Sequence, residues 1–469
     1  MPTPRRLNRR KFFSGLAGAS VARAQNSAPR IQVQPEIRLG RIPADFIGLG
    51  YEVSSVSQRG LFSGSNRPYV QFVRTLSPSG VIRIGGNTSD YASWSPDGPA
   101  VSSPKATVVD RQGVADLGTF LRATGWRLIW GFDLGRGTVD QAVNEAVAVA
   151  ASCGDHLLAF EIGNEPDLFP GIHRPHSYSY ADYYAEYQRY KKSIRDKLPN
   201  TPFAGPDVIV HPDWVEQFAA AEAGDLKLLT HHYYAGGPPD NPAMNIEYLL
   251  KPNAILPGLL GRLEAASRKA RVPYRICEAN SCFGGGKPGV SDTMAASLWG
   301  LDFLFTLAQY SAGGANLETG INHLGWLSWY SPIGLDSEHN YRATPLYYGM
   351  LAFALASRGE RVKLTLENAG LNVTAYAVLS DHGDIWLTLV NKEAARQAHV
   401  HTACPRVTAG SVLRLTAPSL SSKDGVLLGG TLVSKEGKWK LGALEKLRVT
   451  AGETEIYVPA ASAALVRLH

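Results

Sequence analysis

What most constrains the fold of this chain is an alternation. Between about residues 45 and 355, apolar strand-like runs take turns with helix-like segments, and there are eight such strands. The strands read as residues 46–52, 81–87, 127–134, 157–164, 202–206, 226–233, 274–278 and 314–318. Helices are expected over 114–124, 139–152, 180–198, 214–223, 257–271 and 292–310, with 344–357 closing the series and Ser291 or Asp292 capping the long one. Apolar strands separated by helices call for parallel strands joined by crossovers. Eight of them predict an α/β fold, a (β/α)8 TIM barrel over residues 45–358.

After Arg358-Gly359-Glu360 the pattern shortens to alternating strands at 361–366, 372–379, 385–390, 398–402 and 411–416, with more to Leu468. Turn residues such as Ser380-Asp381-His382-Gly383 separate them, so residues 359–469 are expected to form an antiparallel β-sandwich. The Ile-x-Val alternation of 30–39, within the segment 25–44, is expected to add a strand to that sandwich.

Residues 1–24 read as a twin-arginine-type export signal. Arg9-Arg10-Lys11-Phe12-Phe13 is followed by a short apolar run and the small-x-small site Ala22-Arg23-Ala24. A disordered basic tail is the plainer reading. The formal net charge of +6 includes Arg5, Arg6, Arg9, Arg10, Lys11 and Arg23, so the body of the chain is near neutral and charge implies no nucleic-acid partner. No apolar stretch approaches the ~18 residues a membrane span needs, so stable membrane insertion is not expected. A periplasmic or extracellular destination follows from the leader. Cys153, Cys277, Cys282 and Cys404 have no metal-ligand spacing and read as core or loop residues, with Cys277 turned away from the barrel interior or packed beside Glu278. Neither a metal nor a cofactor is expected.

Two glutamates stand where barrel strands give way to loops: Glu165 in Asn164-Glu165-Pro166 after the fourth strand, and Glu278 at the end of the seventh. Ligands of such barrels lie at those strand ends. Strands four and seven face each other across the mouth, and two carboxylates flanking a bond are what glycoside hydrolysis needs. Surface glutamates at loop starts are the bland alternative. Asn164 could hold a sugar hydroxyl, and Tyr233 or Tyr234, with Tyr234 favoured, could donate to Glu278. Gly284-Gly285-Gly286 could expose N–H groups as a nest for an anion, or be only a flexible loop. Glu52, Asn87 and Tyr330 are further polar residues at the mouth, and Trp326 and Trp329 could stack on sugar faces.

Together, Asn164-Glu165-Pro166-Asp167-Leu168-Phe169 and Glu278…Gly284-Gly285-Gly286…Val290-Ser291-Asp292-Thr293 resemble the paired catalytic motifs of glycoside hydrolase family 79, which contains heparanase and bacterial β-glucuronidases. The resemblance covers nearly all of the chain after the leader. It implies Glu165 as acid/base, Glu278 as nucleophile, and Asn164 on the sugar 2-hydroxyl. It places the substrate carboxylate on the amides of Gly284 and Gly285 with the Tyr330 hydroxyl, and Glu52 on a hydroxyl across the ring. Lys287 and Phe283 depart from the family pattern, Lys287 adding a positive charge near the carboxylate. The expected activity is a retaining exo-β-glucuronidase acting on a uronic-acid-containing glycan or glycoside. The alternatives are a heparanase-like endo-acting enzyme, a β-xylosidase or β-glucosidase on the same barrel, and a carbohydrate-binding barrel without catalysis.

Overall fold

The computed structural model describes residues 28–103, 105–320 and 328–469. The leader, His323 and Trp326 lie outside them. Eight parallel strands close into a barrel: β1 (Ile47–Glu52), β2 (Val81–Gly85), β3 (Arg127–Phe132), β4 (Leu157–Ile162), β5 (Phe203–Val208), β6 (Leu226–Tyr234), β7 (Tyr274–Asn280) and β8 (Ala315–Glu318). They pair in sequence order, with β8 returning to β1. The crossovers carry α1 (Arg67–Leu76), α2 (Arg111–Thr124), α3 (Val139–Cys153), α4 (Tyr180–Lys197), α5 (Pro212–Glu222), α6 (Leu256–Ala270), α7 (Met294–Gln309) and α8 (Pro345–Ala356).

Local chemistry sets many of these boundaries. Asp110 accepts from the Gly113 N–H at the start of α2, and the helix stops where Gly125 turns left-handed at φ 77°. Thr138 and Gln141 form a reciprocal capping box on α3. The expected caps of α7 are replaced by another device. Thr293 occupies the N-cap, Asp292 accepts from Gly289, and the N–H groups of Met294 and Ala295 donate to the carbonyls of Ser422 and Leu420 in the C-terminal domain. Helix α1, absent from the sequence reading, has its proline in the first turn, where the missing N–H costs nothing.

The C-terminal region forms one ten-stranded sheet folded on itself into a sandwich-like layer. Its fold line is the strand Glu360–Glu367, which pairs with Val373–Leu379 only through Glu360 and Arg361 before leaving it. The strand Arg30–Arg41 pairs antiparallel with Glu360–Glu367 and parallel with Ala398–Ala403, so segments from before and after the barrel share this sheet. Alternation divides the strands that lie over the barrel between two cores. Ala464, Val466 and Leu468 face the inner core with Ile31, Val33 and Val400, while Ala463 and Leu465 join the core of the barrel. Helices α7 and α8 lie under that second face and are buried nearly all round, which explains why they carry no polar stripe.

Inside the barrel, Arg275 bonds to the Asn316 side chain and to the carbonyls of Asp45, Phe46, Gly313 and Ala315. A buried guanidinium whose donors meet acceptors plugs the barrel without an uncompensated charge. The opposite, C-terminal end is left for the site.

Candidate active site

Glu165 stands three residues beyond β4 in a left-handed conformation, φ 49° and ψ 52°. A residue with a Cβ held there carries backbone strain of about 1–3 kcal/mol, which the surroundings must fix. They do so from β5. The Glu165 N–H donates to the Asp207 carbonyl at 2.9 Å, and Asp167 accepts from the N–H groups of Ile209, Val210 and His211. Glu165 is thereby clamped between two strand ends.

Glu278 lies within β7 rather than at its end, and both its oxygens are held. Oε1 accepts from the Tyr234 hydroxyl at 2.8 Å, and Oε2 accepts from Arg83 at 2.7 Å. Tyr234 is therefore the inward tyrosine, while Tyr233 stacks outward on Phe303 and its hydroxyl takes the Asn253 amide. Glu165 and Glu278 are 9% and 7% exposed. One oxygen of each and a ring nitrogen of His232 lie within 4.8 Å of one another.

Arg83 organises this centre. Completely buried on β2, its guanidinium meets Glu278, Asp207 at 2.5 Å, Asn164 at 2.9 Å and Glu161 at 3.3 Å. With Asn164 accepting from Arg83, the amide NH2 is left as that residue's donor. His232 bridges the carboxylates of Asp207 and Glu165, through Nε2 at 2.7 Å and Nδ1 at 2.9 Å. Burial works against its charge, but Asp207 and Glu278 outweigh it and hold the imidazole protonated well above the usual histidine range. Asp207 is brought down to about 2 because Arg83 and His232 overcome its burial. Glu161 is pushed up to about 7, by burial first and then by Asp207.

The Glu165 carboxyl is raised by burial and by the Glu278 charge, against the lowering effect of His232. Tight acidic clusters can also hold cations. Glu161 and Asp207 form one with Cys277, and Glu165, His232 and Glu278 form another; the Arg83 guanidinium already brings positive charge to both.

Other expected residues surround this pair. The carboxyl of Glu52 accepts from the N–H and hydroxyl of Thr88, and burial with the Glu278 charge raises it to about 7. Tyr330 is 7% exposed, beside Tyr234, and among the charges of Glu318, Glu278 and Glu52. Gly284, Gly285 and Gly286 all have positive φ, at 75°, 90° and 84°. This loop is strapped to the segment before Tyr330 by a bond from the Trp329 N–H to the Gly285 carbonyl. Phe283 packs its edge against Tyr234. The Lys287 ammonium donates to the Asn241 carbonyl at 2.7 Å. Asn87 is exposed in the loop behind β2, which ends at Gly85.

Cys277 is packed, as one of its two expected placements had it, but it does not turn away from the barrel interior. A register shift between Ile276 and Glu278 in the pairing with β6 breaks the alternation, and the thiol packs inside the barrel with Val81, Ile129 and Ala204. All four cysteines are buried and free.

Comparison with known proteins places this geometry. No family model matches the sequence. It is 25% identical over 389 residues to a β-glucuronidase of Aspergillus niger, covering 76% of this chain and 71% of that one. It is 27% identical over 315 residues to a β-glucuronidase of Neurospora crassa, covering 58% of this chain and 55% of that one. Among solved structures, a 4-O-α-L-rhamnosyl-β-D-glucuronidase of Fusarium oxysporum superposes with a TM-score of 0.79 at 19% identity, over 93% of this chain and 99% of that one. An arabinofuranosidase of Xanthomonas axonopodis pv. citri gives 0.69 at 16% identity, over 94% and 100%. The architecture is that of glycoside hydrolases built from a TIM barrel and an accessory β-domain.

Proposed function

We propose that this protein is a retaining exo-β-glucuronidase, removing terminal β-linked glucuronic acid from a glycan or glycoconjugate. The observation that carries the proposal is the buried pair itself, with oxygens of Glu165 and Glu278 inside 4.8 Å and separate supports for each carboxylate. Retaining glycosidases hold their carboxyl groups at ~5–5.5 Å, and inverting ones leave ~6.5–9.5 Å for a water. Similarity to proteins named β-glucuronidase supports the choice of sugar.

In this reading Glu278 attacks the anomeric carbon while Glu165 gives its proton to the leaving oxygen. Arg83 and Tyr234 keep the Glu278 oxygens aligned, and the Asn164 amide meets the 2-hydroxyl. Once Glu278 is esterified its charge is gone, and so is one of the causes that raise Glu165. Still bonded to protonated His232, Glu165 becomes a better carboxylate and deprotonates the water that releases the sugar. The same residue is thus acid in the first step and base in the second.

Exo action is favoured because, among the described residues, Arg174 and Lys287 at the rim are already engaged by acceptors of the protein itself. Arg174 donates to Glu186 and to the carbonyls of Leu134, Gly135 and His173, and Lys287 donates to Asn241. His173 is lowered by burial and by Arg136 and Arg174, which keeps it neutral. Read as a leader, residues 1–24 send the enzyme out of the cytoplasm. No described helix is long and apolar enough to cross a membrane. Hydrolysis of 4-nitrophenyl β-D-glucuronide, β-D-glucoside and β-D-xyloside, with the product anomer followed by NMR, tests the assignment. A β-anomer released first from the glucuronide is expected. A first-formed α-anomer removes retention, and a preference for either neutral glycoside removes the uronide.

A further inference from the structure

One carboxyl group at the mouth is not used by the hydrolytic pair. Glu318 closes β8, is 3% exposed, and both its carboxyl oxygens are buried without a hydrogen-bond partner among the described residues. Its place is built rather than accidental. Asn280 donates to its backbone carbonyl at 2.9 Å, and Gly50 on β1 leaves it room, since a Cβ there would stand 2.5 Å from Oε2. A buried polar group without a partner is costly, and such groups in native sites call for an explanation such as a ligand.

Its surroundings indicate which ligand atom. Glu318 stands close to Glu52 from β1, Arg83 from β2, His232 from β6 and Glu278 from β7, and close to Tyr51, Tyr234 and Tyr330. Burial, then Glu278 and Glu52, raise it well above the usual carboxylate range, so it presents an O–H. Tyr330 in turn touches the glycine loop, where a Cβ on Gly286 would lie 2.7 Å from the Tyr330 nitrogen. Asn280 joins this loop to Glu318, because its amide donates to the backbone carbonyls of both Glu318 and Tyr330.

We propose that Glu318, as a carboxylic acid, donates its O–H to the ring carboxylate of a uronic acid and so sets the preference for uronides over neutral glycosides. The proposal rests on the glucuronidase reading above. A protonated acid pairs with a carboxylate and an ionised one repels it, so the preference itself depends on pH. It is full where Glu318 is protonated and falls as the pH rises through its pKa.

The test is the ratio of kcat/KM for 4-nitrophenyl β-D-glucuronide to that for the matching β-D-glucoside, measured on the full chain from about pH 5 to about pH 9. Ionisation of Glu165 and Glu52 reaches both substrates, and comparison with Glu318→Gln separates it from that of Glu318. In the wild type the ratio should drop about tenfold or more with rising pH, the span of one hydrogen bond to a charged group. Glu318→Gln, an isosteric donor that does not titrate, should make the ratio independent of pH. Glu318→Ala should give a low ratio throughout. A uronide preference that survives both substitutions with its pH dependence unchanged overturns the role of Glu318 alone. A wild-type preference for the glucoside at every pH overturns this proposal and the glucuronidase reading together.

Discussion

Replacing Arg83 with methionine keeps much of its length and removes one cation from a cage of three buried carboxylates. Glu161, Asp207 and Glu278 would lose their contacts at 3.3, 2.5 and 2.7 Å, and Asn164 its donor. Breaking a buried pair from one side costs about 3–5 kcal/mol. Asp207 points the same way: Arg83, together with His232, overcomes its burial and holds its carboxyl down at about 2. Because that pKa is depressed on folding, its contribution is complete above the unfolded value and is lost as pH falls through the folded one. Arg83→Met should therefore cost about 3 kcal/mol or more in urea unfolding at neutral pH. The difference should shrink near pH ~4.5, where carboxylates freed of Arg83 can take up protons. Activity should fall by about 100-fold or more, since Glu278 keeps only Tyr234. Arg83→Lys should fold better but restore little activity, because an ammonium cannot reproduce a planar fork that reaches four partners. An Arg83→Met variant within about 1 kcal/mol of wild type, or close to it in turnover, would refute the organising role assigned to this side chain.

Glu165→Gln and Glu278→Gln should each lower turnover by orders of magnitude with unchanged circular dichroism, and near-wild-type rates in either would remove that residue from the mechanism. Tyr234→Phe should keep the fold and cost about 10–100-fold in kcat, the value of one donor to a charged oxygen, as read by steady-state kinetics. Gly286→Ala forces a Cβ into the Tyr330 backbone at a positive φ, so KM for the glucuronide should rise more than KM for the glucoside. Glu52 and Glu161, both raised to about 7, bind protons in the folded state that the unfolded chain has released above about pH 4.5. Stability should accordingly decline as pH climbs from about 4.5 to about 7, and a melting temperature by calorimetry that increases over that range would contradict these shifts.

The barrel was legible because each of its strands is an apolar run between helical segments, and all eight appear within a few residues of their expected bounds. Glu165 and Glu278 were legible for a related reason, each being a charge where such a run ends. Charges inside the runs were harder to read. Arg83, Glu161 and Asp207 each sit in a strand otherwise apolar, and His232 lies one residue from an equally buried histidine. Buried charges of opposite sign within a barrel must find one another, and that mutual need is the signal that could have exposed them. Which charges meet depends on register, and the shifts in β5, β6 and β7 alter it locally. The caps of α7 were unreadable from local sequence because their acceptors, Ser422 and Leu420, lie more than a hundred residues away.

The strand Arg30–Arg41 leaves the ribosome early, yet its neighbours in the sheet are Glu360–Glu367 and Ala398–Ala403. The final strand, Ser462–Leu468, is no edge piece either, since it lies between Ile385–Asn391 and Ala409–Thr416. A growing polypeptide can thus wind its cylinder while the outer backs of α7 and α8 stay bare. Any product truncated before those last residues would display a broad greasy flank, open to proteases and to sticking. Insertion of Ser462–Leu468 between its two neighbours acts as the latch that hides it.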